Sequence, residues 1–135
     1  NLLLVDAEDP PALEAWLHLR DRDGWDLTSA DRDRCYLMVT VMETWLIADP
    51  EALSSFYGQG FSRAALPGHA NLEMVDKARV LAALDAATRH TLQKGCYHKI
   101  RHASRLLPLL DPATVRRRAP ACDRLLHRIA EAVDR

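Results

Sequence analysis

The residues with the clearest chemical potential are carboxylates that close apolar runs. The chain opens Asn1-Leu2-Leu3-Leu4-Val5 and then turns sharply polar at Asp6-Ala7-Glu8-Asp9-Pro10-Pro11. A short apolar run bounded by turn residues reads as a fully buried parallel strand. Ligands of open α/β sheets bind just outside the C-terminal ends of such strands. Asp6 and Glu8 alternate at that point, so their oxygens can address one hard cation. Mg²⁺ typically takes one or two carboxylates and fills its remaining positions with water and phosphate. Glu43 lies inside the apolar stretch Val39 to Ala48. An ionised carboxylate in such company needs a partner, because isolated buried charge is very costly. A metal would supply one, and so would an arginine. The structural alternative for Asp6, Glu8 and Asp9 is capping of the helix that follows them.

A second constellation is basic: Lys94-Gly95-Cys96-Tyr97-His98-Lys99-Ile100-Arg101-His102. His98 and His102 are four apart and Lys99 and His102 three apart, which predicts a shared helix face. Lysine and histidine donors at a helix start suit phosphate oxygens, while a solvated basic face explains the same residues without a ligand. The His98 and His102 spacing matches half a zinc site but lacks the glutamate after the first histidine that a zincin helix carries. Arg116-Arg117-Arg118 is read either as a contact for a nucleic-acid backbone or as a solvated face.

The elements that must position these groups follow from pattern. A helix is predicted over Ala12 to Arg20, with Leu13, Trp16, Leu17 and Arg20 at helical spacing, broken at Asp21-Arg22-Asp23-Gly24. Cys35 to Val41 is uncharged and rich in β-branched and aromatic residues, a second strand. Met42 to Asp49 reads as a short buried helix, and Pro50 to Phe56 as another, stopped by Gly58 and Gly60. Phe61 to Asn71 is loop-like. Asp76 to Thr91 is an amphipathic helix with Val80, Leu81, Leu84 and Ala87 on one face. His98 to Leu110 and Cys122 to Val133 are two more, separated by a break at Asp111-Pro112. Cys35 and Cys122 fall at core positions, and Trp16, Trp25 and Trp45 serve packing. Strands and helices in this order predict an α/β fold with a parallel sheet, flanking helices and a helical C-terminal half. Leu2–Val5 and Tyr36–Val41 are expected to lie side by side.

Composition sets outer bounds. At 135 residues the chain is one domain, 1–135, with a single core. With 48% apolar and 27% charged residues it is neither disordered nor membrane-spanning. Three widely spaced cysteines argue for reduced thiols and a cytoplasmic setting rather than a disulfide framework. The net charge of −1 conceals a split: residues 1–87 hold 15 acids and 7 bases, residues 88–135 hold 4 acids and 11 bases. Folding must bring these halves together, so Lys99 and at least one of His98 and His102 are expected to face the acids. A buried strand within the first five residues also implies neighbours upstream, as if an N-terminal portion were missing.

Four blocks carry a family resemblance: Val5-Asp6-Ala7-Glu8-Asp9-Pro10, Val41-Met42-Glu43-Thr44-Trp45-Leu46-Ile47-Ala48-Asp49-Pro50, Tyr97-His98-Lys99, and Pro120-Ala121-Cys122-Asp123-Arg124-Leu125. They resemble the bacterial family called domain of unknown function 4276, which is similar to Toprim proteins and to the overcoming-lysogenization-defect nucleases. The resemblance implies a Toprim-like sheet, here without its N-terminal strand and helix. It implies an Mg²⁺- or Mn²⁺-dependent nuclease acting on nucleic acid, DNA or RNA. Asp6 and Glu8 occupy the place of the Asp-x-Asp pair, with Glu in the second position. Glu43 matches the acid after the next strand, and the first Toprim glutamate has no counterpart. Asp6, Glu8 and Glu43 would hold the metal; Lys99, with His98 or His102, would hold phosphate or donate a proton. The resemblance further implies an ATPase partner in an anti-phage or DNA-processing system. The rival expectation is a non-catalytic interaction or regulatory subunit of an ATPase-containing complex. A homo-oligomer is left open.

Overall fold

Two short parallel strands organise one end of the molecule and helices build the rest. The structure is a computed structural model that describes residues 1–11, 14–29 and 31–135. β1 (Leu3–Asp6) pairs in parallel with β2 (Cys35–Met38), Leu3 opposite Cys35 and Asp6 opposite Met38. Between them runs α1 (Ala15–Asp23). The chain continues as α2 (Met42–Ile47), α3 (Pro50–Tyr57), α4 (Lys77–Thr88), α5 (Lys99–Leu106), α6 (Pro112–Arg118) and α7 (Pro120–Val133). The fold is α/β and mostly helical, with this small parallel pair as the sheet of the described residues.

The expected strands are adjacent and parallel but shorter than their apolar runs. β2 ends at Met38, and Val39 to Val41 turn into α2. β1 is half-buried along its whole length rather than sealed. α1 runs on through Asp21-Arg22-Asp23 and stops at Gly24, whose φ of +66° forms a left-handed cap. Ala12 and Leu13, part of the predicted start of this helix, lie outside the described residues. α4 stops at Thr88, three residues before its predicted end, and Leu81 faces solvent while Val80, Leu84 and Ala87 are buried. His98 stands at the N-cap of α5 rather than inside it, and Pro108 converts the expected last turn into a 3₁₀ segment, Leu107–Leu109. α6 was not foreseen: Asp111 caps it and Pro112 starts it, so Asp111-Pro112 begins a helix as well as separating two.

The core has two parts. Leu46, Ile47, Leu53, Tyr57, Leu72, Val80, Leu84 and Leu106 fill the helical part. Leu19, Leu27, Leu37, Val39, Ala7 and Ala121 form a smaller cluster under the sheet. Cys35 and Cys122 are buried as expected, and burial pushes the Cys122 thiol up to about 11. Trp16 donates its indole N–H to the Leu27 carbonyl at 3.1 Å, whereas Trp25 is 40% exposed.

Three long-range polar ties hold the helical part. Asp49, 4% exposed, accepts from Ala52 N–H at 3.2 Å and from Asp111 N–H at 2.8 Å. Glu73 accepts from Ala121 N–H at 2.7 Å and so caps α7, whose own N-cap Ala119 has no side chain to do it. Arg118 donates to the carbonyls of Pro67 and His69 at 2.9–3.1 Å. Of the basic run, Arg116 pairs with Asp123 and Arg117 with Thr114, so these three arginines are largely engaged within the fold.

Candidate functional site

Acids and lysines from four elements meet at the C-terminal edge of the two strands. Asp6 is the last residue of β1, and its Oδ1 accepts from Met42 N–H at 2.8 Å. It therefore caps α2, thirty-six residues further on, and not the helix that follows it. α1 receives no side-chain cap at its N-cap Glu14, and Asp9 pairs with Arg22 at 2.6 Å. The alternative that Asp6, Glu8 and Asp9 cap the helix that follows them therefore fails: Asp6 caps α2, Glu8 pairs with Lys77 and Asp9 with Arg22.

Glu43 stands in the first turn of α2 with its side chain 3% exposed. Among the described residues no arginine pairs with it. Tyr97 donates its hydroxyl to Glu43 Oε1 at 3.1 Å, and Lys99 Nζ lies 3.7 Å from the same oxygen. The Lys99 ammonium is also 3.9 Å from Asp6 Oδ2. One mobile cation therefore spans both carboxylates, which stand no farther apart than its two contacts together. Lys99 faces the acids as the charge split implied. Glu8 adopts a left-handed backbone, φ +68°, rare for a residue with a Cβ, and pairs with Lys77 at the start of α4. Its N–H donates to the Thr40 carbonyl at 2.8 Å, which pulls it toward the β2–α2 turn.

Charge crowding shows in the titration of these groups. Burial raises the Asp6 pKa above the ordinary carboxylate value; the Met42 N–H and Lys99 pull it back, and Glu43 and Glu8 push it up again. The Lys77 ammonium is held above its usual range chiefly by its hydrogen bond to Glu8, with Asp6 and Glu43 adding to it. Burial, then Glu43, drives the Tyr97 hydroxyl well upward, so it stays protonated and donates.

The two histidines do not join this cluster as expected. His98 is exposed and its Nδ1 accepts from Arg101 N–H at 3.3 Å, capping α5. His102 is 5% exposed among Phe56, Tyr57 and Tyr97. Its Nδ1 lies 3.0 Å from the Tyr57 hydroxyl and accepts from His98 N–H at 3.1 Å. Burial and then the charges of Arg101, His98 and neighbouring bases lower its pKa, which keeps the ring neutral. His102 fixes the turn that presents Tyr97 and Lys99; that is a positioning role. The expected shared helix face is not formed, because α5 begins only after His98, which stands at its N-cap.

Sequence reasoning missed three contributors. Lys77 fell inside the predicted helix Asp76 to Thr91 and was given no role. Tyr97 belonged to a quoted block but was given no role. His18, buried in α1, donates from Nε2 to the Ala7 carbonyl at 2.8 Å and fixes the bend between Asp6 and Glu8.

A family profile described as Domain of unknown function (DUF4276) matches residues 1–130. The chain belongs to that family. The match takes in every element that supplies the DUF4276 chain's cluster, from β1 with Asp6 to α5 with Lys99. No curated protein and no solved structure matches the chain.

Among the described residues, no group of three or more His, Cys, Asp and Glu side chains is set in a metal-holding arrangement. Glu8 is paired with Lys77, whereas Lys99 lies between Asp6 and Glu43. The donor chemistry nevertheless fits a hard cation: all three acids offer oxygen, and a single protein ammonium already lies beside both Asp6 and Glu43. Within the described residues no helix is long and apolar enough to cross a membrane.

Proposed function

We propose that this DUF4276 chain is a Toprim-like, Mg²⁺- or Mn²⁺-dependent phosphodiesterase acting on nucleic acid. The single observation that carries the reading is the Lys99 ammonium, 3.9 Å from Asp6 and 3.7 Å from Glu43 at a strand-edge position. Acids and a cation from distant parts of the chain meet there, as phosphate chemistry requires. Asp6, Glu43 and Glu8 would hold the metal. When bound it would supply charge stabilisation at the phosphate and a more acidic water. Lys99, 62% exposed and on a flexible stem, has the freedom to move from the carboxylates to a phosphate oxygen. Tyr97 orients Glu43 by its hydroxyl, and His18 and His102 hold the two backbone turns. DNA and RNA are both admissible substrates, and an ATPase partner belongs to the same reading.

The test measures Mn²⁺ binding by electron paramagnetic resonance, together with cleavage of plasmid DNA and single-stranded RNA in Mg²⁺. Saturable Mn²⁺ binding that is lost in Asp6→Asn/Glu43→Gln, with cleavage lost in Lys99→Met, is the expected pattern. Wild-type chain that binds no Mn²⁺ at millimolar concentration would overturn it. The second reading, a non-catalytic subunit of an ATPase complex, is favoured by one observation: each acid already has a protein partner. It predicts wild-type stability that depends on Lys99 and no response to Mn²⁺.

A further inference from the structure

The start of α5 carries charge of the wrong sign for a helix. Lys99 and Arg101 occupy its first turn, which holds no acid. The N-terminal end of the helix dipole is positive, so carboxylates stabilise it and cations oppose it. Arg105 adds a second conflict with Arg101, since like charges four residues apart on a helix repel. Residues 86–110 contain five lysines and arginines, three histidines and no aspartate or glutamate. Elsewhere arginines are matched: Arg20, Arg22, Arg32, Arg34, Arg63 and Arg116 each face an acid. Within 86–110, Arg89 pairs with Asp85 and Lys99 with the site acids, whereas Lys94, Arg101 and Arg105 make no ion pair among the described residues.

These three unmatched cations are gathered rather than scattered. Lys94 Nζ lies 4.6 Å and Arg105 Cζ 5.2 Å from the centre of the Phe56 ring. The two charges therefore stand within about 10 Å of each other, a Debye length at ~0.1 M salt. Arg101 belongs to the same group: after burial, the charges of Arg101, His98, Arg105 and Lys94 all lower the His102 pKa. A helix start selected for stability alone would carry acids. Local rules broken without a structural gain are expected at functional sites. An anion resting on these groups would relieve both the dipole conflict and the mutual repulsion. The patch is continuous with the carboxylate site, because Lys99 opens the same helix and reaches Asp6 and Glu43. Arg105 lies about 9 Å further along the axis at ~1.5 Å rise per residue. That is about two to three nucleotides at ~3.4 Å per nucleotide of a B-form strand.

We propose that Lys94, Arg101 and Arg105 form a track for the sugar–phosphate backbone of a nucleic-acid strand, holding phosphates next to the one addressed by Lys99. The identity of the anion rests on the phosphodiesterase reading. These three residues hold the strand in place and take no part in the chemistry at the carboxylates. Contacts of this kind fix register and orientation without reading sequence.

Binding is measured in EDTA, where metal-dependent cleavage is off, by fluorescence anisotropy of labelled oligothymidylate, alone and annealed to oligoadenylate, over a potassium chloride series. The wild-type chain should bind, with log K falling linearly with log salt. Arg101→Gln/Arg105→Gln should weaken single-strand binding at least tenfold and make that slope shallower by about 1.4, two contacts at ~0.7 each. Lys94→Gln should make it shallower by about 0.7. Arg117→Gln, at an exposed arginine of α6 outside the track, should change neither. Arg101→Glu separates binding from folding: strand binding should fall while the melting temperature stays level or rises, since an acid suits the first turn of α5. Wild-type chain that binds neither probe, track variants that keep the wild-type slope, or capture by phosphatidylserine vesicles in preference to the oligonucleotide would each overturn the track. The metal reading fails by a different result. A chain that takes up no Mn²⁺ but binds strand through Arg101 and Arg105 loses the phosphodiesterase and keeps the track.

Discussion

Asp49 and Asp6 are both helix-capping aspartates of limited exposure, and they do different work. Asp49 caps α3 through Ala52 N–H and ties in Asp111 N–H, so both of its oxygens are taken by rigid backbone donors. Asp6 has one backbone donor, Met42 N–H; its other oxygen faces a mobile lysine and two further acids. A carboxylate whose lone pairs meet only main-chain N–H groups is a joint. One left beside a movable cation and like charges retains the capacity to exchange partners, which is the property a binding site needs.

The contrast can be broken by substitution. Asp49→Ala should lower stability by about 2–4 kcal/mol, because two donors lose their acceptor in a buried setting. Urea denaturation followed by circular dichroism measures this. Asp6→Ala removes one cap bond and should cost about 1 kcal/mol, with the fold retained. Equal losses from the two substitutions would place Asp6 among the joints and remove the basis for a site.

Acidity sharpens it further. With its folded pKa raised, Asp6 binds a proton more readily in the folded state than in the unfolded one. Its contribution therefore favours the fold at low pH, and it fades as pH rises from the ordinary 3.8 through the raised value. Asp6→Asn should flatten that part of the stability–pH curve, read by thermal melts at closely spaced pH, while leaving the alkaline side unchanged. The smallest effect is expected at Thr40, which is fully buried and whose hydroxyl has no partner among the described residues. Thr40→Val should be neutral or stabilising by up to about 1 kcal/mol, measured in the same melts.

Much of this arrangement was legible in the sequence. The apolar runs ending in Asp6 and leading to Glu43 located the strand edge, and the charge split anticipated that Lys99 would meet it. These signals are local, or depend only on opposite charges needing each other. The partners of the individual side chains were less accessible. Nothing around Asp6 indicates that it caps α2 rather than α1, since that depends on how the β1–β2 register sets Met42. His102 shows the same limit. Its spacing from His98 fitted a shared helix face turned toward the acids, but the helix starts one residue later and the ring turns into the aromatic core. Lys77 comes to Glu8 only through the path of the loop between α3 and α4, which no periodicity encodes.

That loop also ties the site to the order in which the protein is made. Glu73, four residues before Lys77, is held by the start of α7, and the carbonyls of Pro67 and His69 are held by Arg118. A chain leaving the ribosome from its N-terminus exposes Asp6, Glu8 and Glu43 early. The anchors that fix the Lys77 side emerge only with residues 118–121. During synthesis the acids thus precede Lys77 and Lys99, and the loop that leads to Lys77 gains its anchors only with residues 118–121.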